Sequence, residues 1–418
     1  MDVQVHGKLN GSITAPPSKS QAHRLIIAAF LSGEKCTVNN VSYSDDIKAT
    51  IDCCRKLGAD AQCLENSVVF HGYNKNETTL LDCHESGSTL RFMLPIAAAL
   101  GGNHKFTGRG RLPQRPIDEV VSMLSKHGVN SDSLRLPLTL SGQLTGGEYL
   151  VDPSRSSQPL TGLLYALPLL EKDSKITLLG EIQSKPYIDI TMQVLERFGI
   201  KIEETNSGYS IKGGQKYQPV DTSVEGDWSN ATFWLVAGAV GGTLTCSGLD
   251  IASKHGDKAV VEILKQMGHS VTIQNDKFTV STGSGDGVMI DASHIPDSIP
   301  ALAVAAACGK GKTVVYNGER LRIKESDRIS SVVQNLKNIG ANVEETADGM
   351  IIHGGAQLTG GTVDCCNDHR IAMAFSVASL RCTNPVTLIG AECVKKSYPD
   401  FFEVFKNAGG SVNVINMG

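Results

Sequence analysis

The chain has 418 residues, 41% hydrophobic and 20% charged, with 39 Lys+Arg against 43 Asp+Glu and a formal net charge of -4. A single core stops growing at roughly 250–300 residues, so this length calls for two or three domains, and no apolar run approaches the roughly 18 residues that cross a bilayer. The near-neutral charge weighs against nonspecific nucleic-acid binding, so an anionic ligand has to be held by a local cluster of donors.

From the N-terminus, MDVQVHGKLNGS lacks the basic and apolar regions of a secretory signal and the Arg-rich character of a transit peptide, which points to the cytoplasm. Beyond it, an amphipathic segment ending in Gly and followed by a strand-like stretch recurs along the chain as CCRKLGADA, MLSKHGVNS, VLERFGIKI, ILKQMGHSV, NLKNIGANV and VFKNAGGSV. The closing glycines are Gly58, Gly128, Gly199, Gly268, Gly340 and Gly409, spaced by 70, 71, 69, 72 and 69 residues. Each belongs where a left-handed residue ends a helix. A second series of six, Ala/Leu-rich and apolar nearly all round, opens at small polar residues near Ser20, Ser88, Ser157, Ser229, Asp297 and Asp368. Those runs predict buried helices. One buried helix, one surface helix and several strands per repeat give an α/β chain of two domains with three repeats each, changing over near Val224–Asp227.

Every buried helix begins with free backbone N–H groups at the positive end of its dipole, so starts that converge would make an anion site. Lys19, Arg24, Arg91, His369 and Arg370 lie beside such starts. The eleven cysteines, with adjacent pairs at Cys53-Cys54 and Cys365-Cys366, show no C-x-x-C spacing and read as reduced thiols. The histidines show no paired ligand spacing, so no metal is expected. Gly311-Lys312-Thr313 is read as a turn, and Gly283, Gly285 and Gly287 as a hairpin connection between FTVST and VMIDA. GRGRLPQRP (108–116) fits a solvated basic loop, a nucleic-acid contact or a phosphate clamp equally, and the stronger motifs are PPSKSQAHR (16–24), SSQPLTGLL (156–164), SKPYIDIT (184–191), RIKESDR (322–328) and NDHRIAM (367–373). Together they offer two proton-transfer candidates, Lys19 and Glu325, among guanidinium and hydroxyl donors suited to carboxylates and phosphates.

On these motifs, and over essentially its full length, the chain resembles the EPSP synthases, the 3-phosphoshikimate 1-carboxyvinyltransferases of the enolpyruvyl transferase family. The resemblance implies an inside-out α/β barrel fold: two similar domains, each of three βαβαββ repeats around buried helices. It places residues 13–225 in an N-terminal domain and residues 1–12 with 226–418 in a discontinuous C-terminal one. It implies transfer of the enolpyruvyl group of phosphoenolpyruvate to the 5-hydroxyl of shikimate 3-phosphate in an interdomain cleft, with phosphate released and no cofactor or metal. Carried over by position, Ser20 and Arg24 would hold the shikimate carboxylate, and Ser156, Ser157 and Ser184 its phosphate. Tyr187 would line that pocket, Gln158 would lie between the substrates, and Asp297 and Lys324 would meet the shikimate hydroxyls. Lys19, Gly87, Arg115, Arg328, His369, Arg370 and Lys396 would receive phosphoenolpyruvate. Lys19, Asp297 and Glu325 would form the catalytic set, with Glu325 moving a proton at the methylene carbon. The partners implied are these two small molecules, with no nucleic acid or membrane, the chain acting as a monomer.

CHESGSTLRF departs from the commonest family loop, with Glu85 and Ser86 in place of an Asn-Ala pair and Phe92 where a Pro often follows the Arg. Two rivals are weighed. The UDP-N-acetylglucosamine enolpyruvyl transferases share the repeat but carry a reactive Cys on the loop matching GRGRLPQRP, which has none here. A noncatalytic RNA- or polyanion-binding protein fits poorly with the acidic net charge and 5% aromatic content.

Overall fold

In the computed structural model, which describes residues 1–154 and 156–416, the Ala/Leu-rich runs are helices sunk in the core. They span Lys19–Ser32, Gly87–Leu100, Gln158–Ala166, Trp228–Gly241, Ile299–Cys308 and His369–Ala378. Every residue from Trp228 to Val240 is buried, as is every residue of the His369 helix. A helix with no polar face needs neighbours on all sides, and each enclosed Leu, Ile or Phe contributes about 1.5–3 kcal/mol of hydrophobic stabilisation. Amphipathic helices alternate with them. Asp45–Leu57 turns Ile47, Ile51, Cys54 and Leu57 inward and leaves Lys48, Asp52 and Lys56 in water. The glycines predicted to close these outer helices, Gly58, Gly128, Gly199, Gly268, Gly340 and Gly409, have φ of 123, 90, 79, 77, 96 and 108°, a region that costs other residues strain.

Each repeat is completed by a four-stranded sheet. Thr78–Asp82 pairs in parallel with Gly102–Thr107, and the Gly87 helix makes the crossover that a parallel pair requires. Leu138–Gly142 then lies antiparallel between Gly102–Thr107 and Val129–Ser131. The same order recurs in six sheets. Three strands join their repeats from afar in sequence: Thr222–Ser223 beside Cys36–Asn39, Gly11–Thr14 beside Thr243–Ser247, and Asp2–Gly7 between Val386–Ile389 and Gly410–Asn416.

The chain divides into two units of three sheets, Lys19–Val224 and Met1–Ser18 with Glu225 onward. Residues 13–18 and 225, which the resemblance places in the N-terminal domain, fall in the other unit, where the ladder from Gly11↔Leu244 to Thr14↔Ser247 is continuous. The Gly283–Gly287 stretch is not a hairpin: Lys277–Ser281 pairs with Thr243–Ser247 and Ser270–Gln274, whereas Met289–Asp291 opens the next sheet beside Lys312–Tyr316. Three helix openings also shift: Ser86, Asp227 and Ser298 hold the cap positions expected near Ser88, Ser229 and Asp297. No helix among the described residues is long and apolar enough to cross a membrane.

Pro95 inside the Gly87 helix has no N–H, so the carbonyl of Arg91 lacks its helical partner. Gly162 of the Gln158 helix packs onto that gap, where a Cβ would come within 2.6 Å of the Arg91 oxygen. These two helices therefore run close enough for their first turns to exchange side-chain bonds.

Candidate functional site

In the Lys19–Val224 unit, candidate residues gather at the starts of buried helices. Lys19 opens its helix and its Nζ bonds Asp46 Oδ2 at 2.8 Å, both groups being largely enclosed. Five residues on, Arg24 is buried among neutral acceptors: Nε donates to Thr191 Oγ1 at 2.8 Å, Nη1 to the Ser20 carbonyl at 2.7 Å and Nη2 to the Tyr187 carbonyl at 3.0 Å. Burial without a facing carboxylate pushes its pKa down to about 10. The guanidinium so ties Ser20 to Tyr187 and brings an unbalanced positive charge to both.

Gln158, first residue of its helix, accepts from Arg91 Nη1 at 3.2 Å and donates to Ser88 Oγ at 2.9 Å. Ser156 Oγ accepts from its backbone N–H at 3.2 Å, and the buried Ser157 is the cap. Ser184, also buried, precedes the helix Lys185–Arg197 in a left-handed conformation, φ 56°. That is strain a serine accepts only where the surroundings fix it. Gly87 lies under two guanidiniums: a Cβ there would stand 2.6 Å from Arg115 Nη1 and 2.9 Å from Arg91 Nη1. Beneath this loop a buried chain runs from His23 Nδ1 to Thr50 Oγ1, to Thr89 Oγ1 and to Ser86 Oγ, each step 2.7 Å. Burial, with Lys19 and Arg24 close by, holds His23 well below the usual imidazole range, so it serves this chain as a neutral ring. Glu85 turns toward Gly110, where a Cβ would lie 2.5 Å from its carboxylate.

In the other unit the centre is Arg328, first residue of the helix Arg328–Asn338 and 1% exposed. Its Nε bonds Asp368 Oδ2 at 2.8 Å, Nη1 bonds Asp297 Oδ1 at 2.6 Å and Nη2 bonds Glu325 Oε2 at 2.9 Å. Asp368 is fully buried and also caps the His369 helix, accepting from the Arg370 N–H at 2.9 Å. Asp297 and Glu325 keep 19% of their side-chain surface exposed, so both can meet a ligand. Burial pushes the Asp297 carboxyl up, but Arg370, Lys324 and Arg328 outweigh it and hold it well below the usual range. Burial lowers Lys324 to about 8, with Asp297 pulling the other way. Lys396 Nζ donates to the Asn367 carbonyl at 2.6 Å, and Cys366 and Asn367 both have positive φ, 51 and 52°, just before the buried His369.

The sequence motifs so assemble into clusters within each unit. Sequence reading did not single out Asp46, Thr161, Thr191 or Asn230, and took Asp368 only as a helix opening. Asp46 follows another Asp at the start of an amphipathic helix, where an acidic residue is expected for the dipole alone. Among the described residues no cluster of three or more His, Cys, Asp or Glu has the arrangement of a metal site.

The repeat architecture, six four-stranded sheets around buried helices whose first turns carry charged and hydroxyl side chains, defines a two-unit α/β fold. An EPSP synthase structure from Acinetobacter baumannii superposes with a TM-score of 0.83 at 27% identity, covering 99% of this chain and all of that one. The enolpyruvyl transferase NikO of Streptomyces tendae shares the fold at a TM-score of 0.81 and 17% identity. The family model described as EPSP synthase (3-phosphoshikimate 1-carboxyvinyltransferase) matches residues 3–405. A relative of that name from Clostridium kluyveri is 44% identical over 417 residues, covering 98% of each chain, and one from Clostridioides difficile is 42% identical over 98% of each. The chain belongs to the EPSP synthase family.

Proposed function

We propose that this protein transfers the enolpyruvyl group of phosphoenolpyruvate to the 5-hydroxyl of shikimate 3-phosphate, releasing phosphate. The observation that carries the reading is Arg328 gripping Asp297 and Glu325, two partly exposed carboxylates, with Lys324 and Arg370 also facing Asp297. Anions can be drawn in by the cations and protons moved by the carboxylates in one place.

In this reading Ser20, Arg24, Ser156, Ser157, Ser184 and Tyr187 receive shikimate 3-phosphate, the unbalanced charge of Arg24 answering its carboxylate. Asp297 and Lys324 orient the hydroxyls. Lys19, the Gly87 backbone, Arg115, Gln158, Arg328, His369, Arg370 and Lys396 receive phosphoenolpyruvate. Protonation at carbon 3 by the Glu325 carboxyl makes carbon 2 electrophilic. The 5-hydroxyl oxygen adds there while its proton passes to Asp297, giving a ketal phosphate. Glu325 then retakes a proton from carbon 3, the double bond reforms, and the carbon 2–phosphate bond breaks. Phosphate leaves against the Lys19 ammonium and takes up the hydroxyl proton held by Asp297, which returns both carboxyl groups to their starting states. No redox change or cofactor is needed. The chain works on these small molecules as a cytoplasmic monomer.

Phosphate release tests this. With phosphoenolpyruvate present, shikimate 3-phosphate should support rapid release and UDP-N-acetylglucosamine none. The reverse preference, or no release with either, would refute the assignment.

A further inference from the structure

Arg328 and Arg370 are both buried guanidiniums, but their charges are met differently. Arg328 bonds three carboxylates. Arg370, 2% exposed, donates from Nη1 to the amide oxygen of Asn230 at 3.3 Å, and its Nη2 makes an ion pair with Asp297 Oδ2 at 3.8 Å, too long for a hydrogen bond, so it shares a carboxylate that Arg328 already holds at 2.6 Å. Its Nε is buried with no acceptor among the described residues, and its Cζ lies 5.8 Å from the centre of the Phe233 ring. A buried guanidinium with a donor to spare is suited to an anion.

Asn230 is itself fully buried in the first turn of the Trp228 helix. Its Nδ2 donates to Asp227 Oδ2 at 3.3 Å and its backbone N–H to Asp227 Oδ1 at 2.9 Å. Its Oδ1 accepts from Ser397 Oγ at 3.5 Å as well as from Arg370, which ties the Lys396 segment to the same point. The two arms of the amide meet opposite needs, a donor toward a carboxylate and an acceptor toward a guanidinium. A carboxylate at this position would repel Asp227 and cancel the charge of Arg370.

We propose that Asn230 is a positioning residue for anion capture, fixing Arg370 without neutralising it so that the guanidinium charge is left for phosphoenolpyruvate. This rests on the enolpyruvyl-transfer reading, which phosphate release by the unaltered enzyme tests separately. Given that turnover, Asn230→Ala and Asn230→Asp are compared for phosphoenolpyruvate KM, kcat, shikimate 3-phosphate Kd and Tm. Asn230→Ala frees the guanidinium and should raise phosphoenolpyruvate KM roughly tenfold; Asn230→Asp, the closer isostere, removes the charge and should raise it roughly a hundredfold. In both, kcat should change less and shikimate 3-phosphate Kd should hold. A normal phosphoenolpyruvate KM in both variants, or an Asp variant milder than the Ala variant, overturns the proposal. If the Asp variant does not fold, the Asn230→Ala effect is measured again in an Arg370→Gln background. It should vanish there if Asn230 acts through Arg370, and additive losses would overturn the proposal.

Discussion

In the function proposed here, the burial of Lys324 bears on both stability and activity. Its ammonium is lowered from 10.5 to about 8, chiefly by desolvation. Because the folded value lies below the unfolded one, the cost to folding is fully present below about pH 8 and fades as pH rises toward 10.5. The activity trend has the opposite sign, since a neutral amine no longer attracts a phosphorylated substrate. We expect kcat/KM for shikimate 3-phosphate, which reports the free enzyme, to fall up to tenfold per pH unit above about 8. Lys324→Gln should lower the plateau and remove that limb. A profile unchanged by the substitution would take Lys324 out of substrate binding. The candidate residues were legible where charge sits beside a helix start, as in PPSKSQAHR, RIKESDR and NDHRIAM. They were illegible where a neutral side chain acts through another, as Thr191 does on Arg24 and Asn230 on Arg370, because such residues are ordinary helix content until the packing brings their partners.

At the scale of elements, the Gly87 helix couples sequence, packing and site most tightly. Ser86 caps it, accepting from the Thr89 N–H at 3.2 Å, and Pro95 opens the gap that Gly162 fills. Gly87 at its first position leaves no space for a side chain between Arg115 and Arg91. Gly87→Ala has no left-handed strain to overcome, so the fold should hold while both guanidiniums are pushed aside. We expect phosphoenolpyruvate KM to rise roughly tenfold, about what one weakened charge-assisted bond is worth, with shikimate 3-phosphate Kd unaltered. An unaltered phosphoenolpyruvate KM would show that the loop does not shape that subsite. The cap itself was misplaced from sequence because Ser86 and Ser88 are equally plausible openings. Only the buried chain from His23 through Thr50 and Thr89 distinguishes them, and those contacts join residues far apart along the chain.

For the whole molecule, the sixfold period was readable because two independent marks repeat, a helix-ending glycine and an all-apolar helix. Both follow from local chemistry and need no long-range contact. Strand partnership was less visible. Gly11–Thr14 and Thr222–Ser223 are too short to announce which sheet they complete, and the glycines at 283–287 suit a hairpin as well as a link between sheets. The candidate groups are distributed over two units, with Lys19 to Tyr187 in one and Asp297 to Lys396 in the other. The distinctive step of the function proposed here is transient conversion of the phosphoenolpyruvate methylene to a methyl group by Glu325. The most direct measurement is turnover of shikimate 3-phosphate and phosphoenolpyruvate in deuterium oxide, followed by proton and phosphorus magnetic resonance. The account predicts one phosphate released per enolpyruvyl ether formed, deuterium in the product methylene, and both slowed about 10²–10⁴-fold in Glu325→Gln. Product formed without deuterium in its methylene, or at an undiminished rate in Glu325→Gln, would contradict it.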